Sequence, residues 1–466
     1  MQIPIIQGVF SDMSADFRTA YPINLTAVPK QQGISQGYLC SDEGIVQMAT
    51  GQGSDRGAIV WNGVCYRVSG TKLVSVSGSG LVTVLGDVGG TGPVSMDYSF
   101  DRMAIASGGN LFYWNGSALT QVTDPDLGTV LDVLFVDGYF MTTDGEFLVV
   151  TELNDPTSVD PVKYGSSEAD PDPVKGMAKL TREVYALNRY TTEVFQNIGG
   201  SGFPFQRVDG AQVMRGAIGT HTFCPLAGTL AFLGSGRNEA PGVYLINGGA
   251  SVPISTREID TILEGYTESQ LADAVVESRV HKKHELLLIH LPDKCLQYDV
   301  NASAALETPA WSIKSSSTDG EGQYLAIHAV WAYDKWIVGD PTSDKIGYLT
   351  RATDDHWSQP VGWEFSTQCI YNESMGAIFH ELELISLPGR TMSGADPVVW
   401  TSYSNDGLTW SQEQSAAAGK MGQYENRVWW AHQGMMRQYR IQKFRGADTG
   451  PVAFARLEAR IEPLGV

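Results

Sequence analysis

One pattern constrains this chain more than any single motif: an apolar run, a turn of Gly, Asn or Asp, and a second run with alternating or aromatic residues, repeated many times. The copies begin near positions 58, 103, 139, 184, 230, 286 and 336. The clearest is Ala58-Ile-Val-Trp61, then Asn62-Gly63, then Cys65-Tyr-Arg-Val68. Another is Met103-Ala-Ile-Ala106, then Gly108-Gly109, then Leu111-Phe-Tyr-Trp114. Asn-Gly and Gly-Gly supply the positive φ angles that two-residue hairpin turns require. A spacing of roughly 35 to 55 residues is the length of one four-stranded propeller blade. The sequence therefore predicts an all-β chain with a β-propeller of six or seven blades, the alternative being a large irregular sandwich. Fifty-one glycines and only 18% charged residues suit many short strands and tight turns.

The rhythm changes after about Asp355. Longer strands follow, among them Glu381–Ile385, Val398–Tyr403, Arg427–Trp430, Tyr439–Phe444 and Val452–Leu457. Alternation within several of them predicts a sheet with one buried face, hence a β-sandwich. The expected organisation is an N-terminal arm (1–45) packing on the platform, a propeller (46–355), and a C-terminal β-sandwich platform (356–466). One helical insertion is expected near 255–276. Ser255-Thr-Arg-Glu258 and Thr267-Glu-Ser-Gln270 both read as capping boxes ahead of apolar residues at helical spacing. The segment from Asn154-Asp-Pro156 to Asp170-Pro-Asp-Pro173 reads as a Pro/Asp loop, because proline cannot donate to a ladder.

The residues argue against most chemistry. Five widely spaced cysteines (40, 65, 224, 295 and 369) suggest neither a disulfide framework nor a CxxC metal site. His281, His284 and His290 fit neither an HExxH helix nor a finger, and Lys282 and Lys283 between them oppose a cation. Asp155, Asp160, Glu168, Asp170 and Asp172 lack the EF-hand order. Ser404-Asn-Asp-Gly-Leu-Thr-Trp410 is close to the Asp-box hairpin of sialidase propellers but is one residue short and occurs once. It keeps a glycan-binding or sialidase-like propeller open as the alternative function. No GxSxG, P-loop or dinucleotide fingerprint occurs. No catalytic, cofactor-binding or metal-ligating residue is therefore assigned, and the expected cofactor set is empty. With 32 Lys plus Arg against 52 Asp plus Glu, the net charge of −20 should repel a phosphate backbone. No apolar run approaches the ~20 residues of a membrane span, so stable membrane insertion is not expected. Trp429-Trp430 beside Arg427 is an aromatic and cationic patch of the kind found in subunit or partner contacts, with a core tryptophan pair as the alternative.

Several segments resemble the tail hub, or packaged-DNA stabilization, family of short-tailed bacteriophages. They are Gly37-Tyr-Leu39, Gly44-Ile45, Arg56-Gly57, Tyr66-Arg-Val68, Gly70-Thr-Lys-Leu73 and Gly92-Pro-Val-Ser-Met96. Later come His284-Glu-Leu-Leu-Leu-Ile-His-Leu-Pro292, Tyr298-Asp299, Asp406-Gly407 and the basic strand Arg437–Phe444. The resemblance implies a non-enzymatic virion protein whose six copies form a ring below the portal and its adaptor. It implies that the ring closes the channel after packaging, carries the tail needle and the tailspikes or fibres, and passes double-stranded DNA without reading its sequence. It also implies location in the virion tail after assembly in the host cytoplasm, and a propeller joined to a sandwich platform.

Overall fold

The Asn62-Gly63 turn folds as its chemistry requires, with φ of 50° and 75°, and sets Asp55–Trp61 antiparallel to Val64–Ser69. Gly108 and Gly109, at 58° and 80°, do the same for Met103–Ser107 and Asn110–Trp114. The structure is a computed structural model that describes residues 1–11, 17–30, 33–153, 155–373, 375–392, 394–447 and 450–464. It comprises two compact units. One holds Gln47–Pro292 and Leu325–Tyr348; the other holds Met1–Val46, Asp293–Tyr324 and Leu349–Val466.

The first unit is a β-propeller. Antiparallel meanders begin at Asp55, Ser95, Asp132, Val174, Gly216, Val275 and Ile327. Neighbouring blades touch in sequence through their first strands, the fifth through Phe223–Leu226, and the seventh returns to the first, so the ring has seven blades. The strand Gly44–Thr50 closes it by joining Lys345–Thr350 in the last sheet, which removes a free edge. A buried polar residue ends the second strand of several blades and ties down a neighbouring turn. Ser69 donates to the Gly53 carbonyl, Ser107 to that of Gly89, and Thr143 accepts from the Gly145 amide. Each such group must find a partner, because an unpaired buried polar group costs about 1–3 kcal/mol.

Two expectations are corrected here. Val159–Ser166, inside the segment read as a loop, is a strand paired with Phe147–Thr151. It is the last strand of its sheet, bonded on one side only, so Pro161 forfeits no ladder bond. Asn154, where that segment begins, lies outside the described residues. The first helix, Arg257–Glu264, is capped by Thr256 and not by Ser255, whose Oγ instead accepts from the Val243 amide. The second, Glu268–Ala272, has the reciprocal Thr267/Gln270 capping box that its sequence predicts.

The second unit contains a β-sandwich. One sheet runs in the order Leu25–Pro29, Gly37–Ser41, Ala453–Pro463, Ala377–Ser386, Val428–Ala431, with Gln2–Ile3 also on Ala453–Pro463. The other runs Trp363–Ser366, Tyr439–Gly446, Val398–Ser404, Gln414–Ala417. Leu382, Leu384, Trp430, Phe365, Phe444 and Phe454 fill the space between them. Each such side chain contributes about 1.5–3 kcal/mol on burial. Leu382→Ala would leave a cavity costing about 2–5 kcal/mol.

Candidate partner-contact surface

The strand Val428–Ala431 alternates as a half-buried strand must. Val428 and Trp430 point into the sandwich core, where Trp430 is 3% exposed and its ring lies 5.6 Å from Phe444. Trp429 points outward and is half exposed. Of the three residues expected to make partner contacts, Trp430 is therefore a core residue, since the pleat gives adjacent tryptophans opposite faces. Arg427 and Trp429 remain on the surface.

Around Trp429 the outer face of this sheet carries alternating charges. Arg427 makes a bidentate pair with Glu383, at 2.7 Å through Nε and 2.5 Å through Nη2. That bonding lowers the Glu383 pKa and raises that of Arg427. Arg460 lies 3.6 Å from Glu381, and Arg456 pairs with Glu458. Met1, Gln2, Leu382 and Ala459 complete an open depression with these groups. Exposed pairs of this kind add only about 0–1 kcal/mol each, so these charges contribute little to the stability of the sandwich.

The Asp-box-like segment is a tight turn in the sandwich unit. Asp406 Oδ1 accepts from the amides of Leu408 at 2.9 Å and Thr409 at 2.8 Å, while Oδ2 accepts from Thr409 Oγ1 at 2.6 Å. These bonds, the Thr409 hydroxyl first, hold the carboxyl well below the usual range. Asp406 is thereby committed to the turn, and Lys443 covers Trp410 at 4.7 Å.

In the propeller, carboxylates that could have been catalytic stitch adjacent first strands together. Asp97 accepts from the Phe135 amide at 2.6 Å, Asp132 from Met177 at 2.7 Å, and Glu277 from Ala329 at 3.0 Å. Burial raises Asp132 to about 6. Burial also works against the Glu277 carboxylate, but its 2.9 Å bond with His290 and the nearby histidines outweigh this and lower its pKa. His281 and His284 face each other in register at the hairpin end, and His290 pairs with Glu277, so the three histidines serve different contacts. The acidic loop likewise does not converge. Asp155 caps Thr157, Asp170 pairs with Arg237, and Asp172 holds Tyr190 and Thr191.

The sequence reading missed one buried charge cluster. Arg67, fully buried, donates to Asp55 at 2.6 and 2.9 Å and to the carbonyls of Ile337, Ile327 and His328, while His328 Nδ1 lies 2.8 Å from Asp55. This ties the first blade to the seventh where the ring closes. The available signal was a cation inside the apolar strand Cys65–Val68, since an arginine is almost never fully buried unless paired.

Residues 1–354 match the family described as bacteriophage P22 Gp10, β-propeller, and residues 362–462 match its β-sandwich counterpart. The chain belongs to the P22 Gp10 tail-hub family. A relative in Salmonella phage P22, named tail hub protein gp10, is 27% identical over 483 residues, covering 99% of each chain. That relative is named as a tail component, not as an enzyme. Among solved structures, an inactive virginiamycin B lyase from Staphylococcus aureus covers 66% of this chain and 98% of its own, with 10% identity and a TM-score of 0.43. The Pan2 WD40 domain of Neurospora crassa covers 66% of this chain and 95% of its own, with 9% identity and a TM-score of 0.42. Among the described residues no helix is long and apolar enough to cross a membrane.

Proposed function

We propose that this Gp10-family chain is the hub of a short-tailed phage tail, assembled in the host cytoplasm. In this reading six copies form a ring below the portal and its adaptor, keep packaged DNA in the head, and form part of the ejection channel. The needle, and the tailspikes or fibres, dock on the same ring. Residues 1–45 serve as the arm, 46–355 as the propeller and 356–466 as the platform, with Arg427 and Trp429 in a subunit or partner contact. The observation that carries this reading is the agreement of the whole chain, propeller and sandwich alike, with a relative named as a tail hub. The charge supports it as well. A net −20 per copy gives neighbouring DNA few cations to bind, and each phosphate contact avoided is one fewer brake on exit.

The test is a phage carrying a nonsense mutation in this gene. Heads that package DNA and then lose it, rescued by supplying the protein, are expected. Heads that retain their genome without it would overturn the proposal.

A further inference from the structure

The outer face of the second sandwich sheet carries a cluster of aromatic and charged side chains that the tail-hub reading does not use. Phe365, Val399 and Phe444 point into the core, so the residues next to them along each strand point outward. Register fixes their layout. Glu364, Arg445 and Trp400 stand opposite one another in a row across three strands. Lys443 lies two residues from Arg445 in the same outward set, and Glu413 sits just ahead of the edge strand Gln414–Ala417.

The charges on this face pair off. Arg445 donates to Glu413 bidentately, at 2.6 Å through Nε and 2.5 Å through Nη2, and Lys443 lies 3.6 Å from Glu364. Each cation also lies against an indole. Lys443 Nζ is 4.7 Å from the centre of the Trp410 ring, and Arg445 Cζ is 5.8 Å from that of Trp400. Both rings keep accessible surface beyond these contacts, with Trp400 37% exposed and Trp410 half-buried. Trp410 is set by its neighbours. Thr409 before it is bonded to Asp406 through amide and hydroxyl, and the amide of Ser411 after it donates to the Tyr403 carbonyl. A ring held in this way meets a ligand at little ordering cost.

The chemistry of the face selects what it can hold. A phosphate or sulfate needs an unmatched cation, and both cations here are matched by carboxylates. Lys and Glu are depleted from the core of protein interfaces, yet Lys443, Glu364 and Glu413 stand in the middle of this face. A sugar ring needs an indole against its C–H face and, at its edge, a donor beside an acceptor for adjacent hydroxyls. Hydrogen bonds to ionised groups are the stronger kind, and a few placed polar groups fix a ligand's orientation. From this geometry we infer that the outer face of this sheet binds a neutral oligosaccharide. Trp400 and Trp410 are the stacking platforms, and the Arg445–Glu413 and Lys443–Glu364 pairs bond its hydroxyls.

The test is titration of the purified full chain with hexaoses of glucose, mannose and galactose in α and β linkage. Saturation-transfer difference NMR and tryptophan fluorescence supply the readouts. At least one hexaose is expected to bind with a Kd below about 1 mM, with saturation passing from indole to sugar-ring protons. Its affinity should be the same at about 50 and about 500 mM salt, because no net charge is exchanged. Trp400→Ala should weaken binding more than about tenfold, whereas Trp429→Ala, on the outer face of the other sheet, should leave it intact. Circular dichroism checks the fold of both variants. Arg445→Lys keeps the charge but loses the bidentate geometry, and should weaken binding as well. No saturation transfer from any of these sugars would overturn the inference. So would affinity that falls steeply with salt, or indifference to both Trp400→Ala and Arg445→Lys. Sugar binding is read on the purified chain without particles, so its failure leaves the tail-hub role standing and the converse holds too.

Discussion

Replacing Asp55 with asparagine would leave the Arg67 guanidinium buried without a counter-charge at the point where the propeller closes. The amide keeps the shape of the side chain but presents a donor where Arg67 and His328 also present donors, at 2.6 to 2.9 Å. The remaining partners of Arg67 are neutral carbonyls at 3.1 to 3.4 Å. Breaking one partner of a buried pair costs about 3–5 kcal/mol. For a unit of this size that lowers the melting temperature by roughly 5–15 °C. Urea unfolding should show a lower midpoint at an unchanged m-value. The decisive control is the double variant Asp55→Leu/Arg67→Met. It removes more polar contacts but strands no charge, so it should cost clearly less than Asp55→Asn alone. A loss below about 1 kcal/mol for Asp55→Asn, or a double variant as damaged as the single one, would refute the argument.

Trp430→Ala should destabilise the sandwich by about 3–5 kcal/mol in urea unfolding. Trp429→Ala should stay within about 0.5 kcal/mol and reduce only incorporation into particles. His356, 3% exposed, is pushed down to about 3 by burial, with Lys314 adding to the effect. A depressed histidine means the unfolded chain takes the proton first, so its contribution is complete above pH ~6.5 and is lost as the pH falls from there toward the folded value. Unfolding of His356→Asn followed between those limits should show a shallower pH slope, by at most ~1.4 kcal/mol per pH unit. Fluorescence anisotropy with duplex DNA at low salt should give no binding at micromolar protein, whereas micromolar or tighter affinity would contradict a DNA-repelling surface.

What the sequence disclosed is what local chemistry encodes. The hairpins at Asn62-Gly63 and Gly108-Gly109 follow from positive φ, and the second helix from a capping box whose two bonds both form. The first helix begins one residue late because two adjacent hydroxyls compete for the cap and Ser255 is already engaged by Val243. The helix Val300–Leu306, capped by Asp299, went unread because it interrupts a run of hairpins. Long-range pairings were out of reach of any local signal. Closure of the ring by Gly44–Thr50 and the place of Gln2–Ile3 beside Ala453–Pro463 join residues hundreds of positions apart. At the candidate surface, adjacent tryptophans with opposite fates were legible in principle from the period of two. The choice of which faces inward needed the register, Trp430 opposite Leu382 and Trp429 opposite Glu383.

The central claim is that this chain is the structural hub of a phage tail. A cryo-electron reconstruction of the parent particle tests it most directly. The account predicts density for the seven-bladed propeller and its sandwich in a symmetric ring beneath the portal and adaptor. A mature particle whose tail contains no such ring, or whose hub is built from a different chain, would contradict it.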